Sequence, residues 1–70
     1  MKTEWIDFLF EMTGEDSDLC GERFFVEVKN DSAAFKHAIE IMTENFPDED
    51  WSYLGRYTPD EAEYLGYDTF

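Results

Sequence analysis

Positive charge is scarce in this chain. Of 70 residues five are lysine or arginine, against eighteen aspartates and glutamates, and the formal net charge is −13. Like charges repel, so nucleic acid and anionic membranes are poor direct partners. Cysteine is scarcer still. Cys20 stands alone, so no intrachain disulfide forms and no cysteine-based zinc site can be built, which suits a reducing cytoplasm. No apolar run approaches the ~20 residues of a membrane span. The N-terminus, "MKTEWIDFLF", has one lysine followed by interspersed acids and does not read as a signal peptide. Glycine-rich phosphate cradles are absent too.

Catalytic equipment is equally thin. The one histidine, His37, falls on a predicted helix whose buried positions are apolar, which makes it a rim residue. Cys20 falls in an acidic loop, a poor setting for an activated nucleophile. Paired carboxylates abound, and their abundance removes their specificity. The chain reads as a protein that is not an enzyme and that needs no cofactor.

What is present is aromatic. Seven phenylalanines, four tyrosines and two tryptophans can bury roughly 150–250 Å² each, so residues 1–70 read as a single folded domain, not an acidic tail. A core of this size supplies about 3–5 kcal/mol of net stability. A charge of magnitude about 2–8 would already keep so small a domain soluble, so −13 calls for a further reason.

Periodicity gives the elements. Residues 3–12 alternate, with Ile6, Phe8, Phe10 and Met12 on one face and Glu4, Asp7 and Glu11 on the other, Trp5 and Leu9 among them. Residues 13–21 are turn formers and acids. Residues 22–29 alternate again, with Phe24, Val26 and Val28 inward and Phe25, Glu27 and Lys29 outward, so the pair reads as a β-hairpin. Asn30, Asp31 and Ser32 offer N-caps to a helix over about 32–45, which Pro47 ends. A third strand spans about 51–57. Thr58-Pro59-Asp60-Glu61 is a capping box with proline at the first helical position, and Gly66 suits a C-terminal cap, giving a short helix over 59–65. "YLG" occurs at 53–55 and 64–66, too short a match to be a repeat.

The order β-β-α-β, then a short C-terminal helix, predicts an α+β fold. We expect a three-stranded antiparallel sheet of order 2-1-3 with one main helix on one face. The alternative puts the third strand parallel to the second. Phe8, Phe10, Phe24, Phe35 and Phe46 are the candidate core. Trp5, Leu9 and Phe25 fall on the other face, where either the C-terminal segment covers them or an apolar interface remains.

The stretch "DSDLCGERFFVE", residues 16–27, has the spacing of a helix-loop-helix calcium site. Cys20 stands where a hard cation wants oxygen, and both flanks have strand periodicity instead of helical. The stretch therefore divides into hairpin loop and strand, and no metal is expected.

The acids cluster: Glu15, Asp16 and Asp18 in the hairpin loop, Asp48, Glu49 and Asp50 before the third strand, and Asp60, Glu61 and Glu63 in the last helix. Glu40 and Glu44 share a helix face. A globule of this length has a radius of gyration of about 11 Å and is roughly 28 Å across. Duplex DNA carries about 16 charges over that length, the same order as this chain. Carboxylates so spaced could meet arginines in a basic groove, with Trp51 and Tyr57 as aromatic anchors. With "WSYLGRY" between the last two clusters, the chain resembles the small acidic anti-defence proteins of bacteriophages, among them the DNA-mimicking anti-CRISPR and anti-restriction inhibitors. That resemblance implies a monomeric or homodimeric inhibitor in the host-cell cytoplasm. Its partner would be a protein with a basic nucleic-acid-binding groove, such as a bacterial defence nuclease complex. Two other readings stay open: an interaction module or regulatory subunit that binds through exposed aromatics, and a calcium loop at 16–27.

Overall fold

The computed structural model describes residues 4–69. Their order is β1 (Trp5–Met12), β2 (Arg23–Lys29), α1 (Ala34–Asn45), β3 (Trp51–Tyr57), α2 (Pro59–Leu65) and β4 (Asp68–Thr69). The first predicted strand begins at residue 3, which lies outside the described residues. The class is α+β as expected, and the first three strands take the expected antiparallel order 2-1-3, but the sheet has four strands, β3-β1-β2-β4. β1 is antiparallel to β2 and to β3. β4 is the addition. It pairs parallel to β2 at Phe24 and Phe25. Because β3 and β4 both run parallel to β2, α2 must carry the chain across the sheet between them.

The face toward α1 holds the main core. Ile6, Phe8, Phe10, Met12, Val26 and Val28 meet Ala34, Ala38 and Met42 of the helix. The period-two strands and the period-3.6 helix bring their apolar residues to this one layer. Phe10 packs edge-on to Trp51 at 5.4 Å between ring centroids. Phe24 and Phe46 are half-buried at its margin. Phe35, expected in the core, is 46% exposed. α1 packs mainly on β2 and less on β1, so Phe35 reaches out at the β3 side, where its ring lies 5.0 Å from that of Tyr53.

The opposite face is not left open. α2 places Ala62 over Leu9 and Phe25, and Tyr57 closes the cluster. Phe25 is fully buried, with its ring 5.7 Å from that of Tyr57 and 5.9 Å from that of Tyr67. Trp5 stays half-exposed. The capping box forms as read: Thr58 N–H donates to Glu61 Oε1 at 2.9 Å, and Glu61 N–H donates to Thr58 Oγ1 at 3.2 Å. Gly66 ends the helix at φ 77°, a left-handed backbone that glycine adopts without strain.

A bulge in β3 feeds both faces. Leu9 pairs with Gly55 and Phe10 with Tyr53, which leaves Leu54 as the extra residue. One extra residue flips every later side chain to the other side of the sheet. Trp51 and Tyr53 therefore serve the α1 layer, and Tyr57 serves the α2 layer.

The start of α1 differs from expectation. Its N-cap is Ala33, with no side-chain cap. Asp31 instead accepts from Ala33 N–H at 2.9 Å, ordering the turn before the helix.

Candidate functional site

The β1–β2 hairpin and the α1–β3 connection meet because β1 pairs with both β2 and β3. Met12, the last residue of β1, is opposite Trp51, the first of β3. The hairpin closes there: Met12 N–H donates to the Glu22 carbonyl and Gly21 N–H to the Met12 carbonyl, both at 2.8 Å. Gly21 has φ 90°, so its turn role stands. Thr13 N–H then donates to the Asp50 carbonyl at 3.0 Å, and Ser17 Oγ donates to Glu49 Oε1. Two acidic clusters far apart in sequence so become one end of the molecule. A depression of about 390 Å³ there is lined by Glu15, Asp16, Asp48, Glu49 and Asp50 with Gly14 and Ser17. Asp18 is exposed in the same hairpin loop.

The remaining predicted site residues lie elsewhere. Glu40 and Glu44 line a shallow groove on α1 with His37 and Lys29. Asp60, Glu61 and Glu63 are on α2, across the sheet from α1. Trp51 is half-buried against Phe10, and Tyr57 is half-buried against Phe25, so the fold itself covers part of each ring. The acids thus cover one end and both layers in place of a single stripe. They are nearly uncompensated. Among the described residues one ion pair forms, Arg23 Nε to Glu11 Oε2 at 3.1 Å. Arg23 also donates to Tyr67 Oη at 3.2 Å, and these two bonds raise its pKa further above the ordinary arginine value.

The 16–27 stretch does not close on an ion. Asp16 and Asp18 lie in the hairpin turns, while Glu27 lies on β2 facing Asp7. Among the described residues no group of three or more histidine, cysteine, aspartate or glutamate side chains could hold a metal.

Two residues that the structure makes conspicuous carry no obvious sequence signal. Asp7, assigned to an outward face, is 1% exposed. α2 covers that face, so burial reached the acid along with Leu9. Its Oδ1 has no hydrogen-bond partner, and burial, reinforced by the Glu27 charge opposite, pushes its pKa up to about 6. Burial disfavours a charge that nothing pairs. The only hint was an acid between Trp5 and Leu9 on a face that needed a cover. Tyr64 is the second. It projects from α2 with 90% of its surface exposed.

No helix among the described residues is long and apolar enough to cross a membrane. Comparison with protein-family models, curated proteins and solved structures finds no match to this chain.

Proposed function

We propose that the protein is a non-enzymatic inhibitor that occupies a basic nucleic-acid-binding groove of another protein, with its carboxylates standing in for phosphates. The observation that carries this reading is the joining of the hairpin acids to Asp48, Glu49 and Asp50 in one acidic end that no basic side chain among the described residues pairs. Ordinary folding would disfavour that arrangement, since self-repulsion destabilises the compact state.

The dimensions set the charge density. The domain measures 43 × 25 × 15 Å, a slab longer than the rough sphere expected from its length. Thirteen net charges along 43 Å is about one per 3.3 Å. Duplex DNA carries about one per 1.7 Å and each of its strands about one per 3.4 Å. That mean density is of the order of a nucleic acid's, and it is spread over one end and both layers of the domain. The partner would be a nucleic-acid-binding protein or nuclease complex, met in the cytoplasm (of the host cell, if the chain is phage-encoded). The resemblance to phage anti-defence proteins points the same way.

A second reading has its own support. Phe35 and Tyr53 are exposed together, with rings 5.0 Å apart, as a module that binds through exposed aromatics would need. The Phe25 version of that reading fails, because Phe25 is fully buried.

Affinity capture from a bacterial lysate, followed by competition with single-stranded and duplex oligonucleotides, tests the proposal. The expected result is a partner released by the oligonucleotide it binds and held progressively more weakly as salt rises. A partner that stays bound at high salt while still engaging its nucleic acid refutes it.

A further inference from the structure

α2 carries a pocket of a different character from the acidic end. Tyr57, at the end of β3, and Asp60, Glu61, Tyr64 and Leu65 of α2 line a cavity of about 350 Å³ whose walls are mostly apolar. The spacing explains it. Asp60 and Tyr64, and likewise Glu61 and Leu65, are four residues apart and so lie one turn above the other. Glu61 is already engaged, since its Oε1 accepts from Thr58 N–H in the capping box. Asp60 forms no hydrogen bond or ion pair among the described residues, and Tyr64 leaves most of its ring in water. An aromatic wall beside an unpaired carboxylate is the chemistry that takes a flat cation. The ring faces attract the charge, and the carboxylate accepts the forked donors of a guanidinium. An ammonium, a compact and strongly hydrated point charge, gains little from the rings and cannot supply the fork, which needs a guanidinium held flat against a ring. An anion would be repelled by Asp60, and a neutral donor would leave its charge uncompensated.

We propose that the Tyr57–Asp60–Tyr64 pocket is an arginine subsite, which receives one arginine side chain from an extended basic segment of the partner protein. The proposal rests on the inhibitor reading for the partner's positive charge, and adds to it a side-chain preference that charge alone does not give.

The test is a pair of short peptides, one alternating glycine with arginine and the other glycine with lysine, titrated into the intact protein at low ionic strength. Binding is followed by the side-chain resonances of Tyr57 and Tyr64. We expect the arginine peptide to bind about threefold more tightly or better, the scale of an exposed cation–π contact. Tyr64→Ala should erase the preference and Tyr64→Phe should keep it. Tyr64 is almost wholly exposed, so neither change disturbs packing. Asp60→Asn should reduce the preference. The triple change Asp48→Asn, Glu49→Gln and Asp50→Asn should weaken both peptides and leave their ratio unchanged. Equal affinities in the unaltered protein, or a preference that survives Tyr64→Ala, overturn the subsite while leaving the inhibitor reading intact. Failure of both peptides to bind overturns that reading as well.

Discussion

Replacing Asp7 by asparagine should make the protein more stable, and by an amount that depends on pH. Asp7 sits in the middle of β1, opposite Glu27 of β2 and Tyr57 of β3, under the layer that α2 forms. Its pKa rises from 3.8 to about 6 on folding. The folded value lies above the unfolded one, so the fold favours the protonated acid. The sign follows: the carboxyl is harmless well below pH 4, and its cost grows as pH rises to 6 and then levels off. By linkage the cost is on the order of 1–2 kcal/mol at pH 5 and about 3 kcal/mol at pH 8. Asparagine keeps the shape and cannot ionise. Its buried amide still lacks good partners, so the absolute gain is smaller than 3 kcal/mol, and the change of the gain with pH is the diagnostic quantity. Urea unfolding of both proteins at pH 5, 6.5 and 8, followed by far-ultraviolet circular dichroism, measures it. About 0.5 M salt should be present, because salt screens the repulsion among exposed acids far more than that of a buried group. The stability difference should widen by roughly 1 kcal/mol between pH 5 and pH 8. A difference that stays constant with pH refutes the reasoning, since Asp7 would then be ionised or hydrated in the folded state.

Other substitutions separate the layers. Phe25→Ala should cost about 3–5 kcal/mol, as much as the net stability of so small a core, because Phe25 is the centre of the α2-side cluster, and circular dichroism should find the variant largely unfolded without urea. Thr58→Ala should cost about 1 kcal/mol and increase amide exchange in α2 before the rest of the fold, as the capping box holds that helix. Neutralising Asp48, Glu49 and Asp50 together should raise the melting temperature at low salt and lose that gain at high salt, while reducing capture of the partner.

The elements with strong periodicity or strong punctuation were legible in the sequence. Alternation in β1 and β2 placed Ile6, Phe8, Phe10 and Met12 on the core face. The capping box at Thr58 and Glu61 and the glycine at position 66 gave α2 its bounds. What failed depended on neighbours distant in sequence. β4 is two residues long, and no local pattern marks so short a strand. Its pairing is made available by the path of α2. The bulge at Leu54 has no local signal either, and plain alternation in "WSYLGRY" would set Trp51, Tyr53 and Tyr57 on one face. Phe35 looked like core because its spacing is right for α1, but the helix lies toward β2 and leaves that side uncovered. The candidate site shows the same division. Each acidic cluster was evident in the sequence. That two of them share one end follows from β1 pairing on both sides, and that the third lies on α2 across the sheet follows from the crossover.

The position of the acids relates the charge to the fold. Asp16, Asp18, Asp48 and Asp50 sit in turns whose backbone hydrogen bonds are already made, at Met12–Glu22, Gly21–Met12 and Thr13–Asp50. Asp60 and Glu61 sit in the first turn of α2, where a negative charge is favoured by the helix dipole. Repulsion among these groups acts on segments that the sheet has pinned, and water and salt reduce it further. Asp7 has neither relief. It is on the central strand, under a helix, facing another acid. A sheet covered on both faces by so short a chain has no outward face left in the middle of β1, so an acid there must be buried if α2 is to dock. The binding surface and the stability cost are therefore separable: the acids that could meet a partner are in turns, on the outer face of α1 and on α2, and the acid that costs most is out of a partner's reach. Asp7→Asn should accordingly leave partner affinity unchanged while it alters stability. Loss of affinity in that variant would mean that α2 shifts when Asp7 is neutralised, and that the partner reads the position of α2.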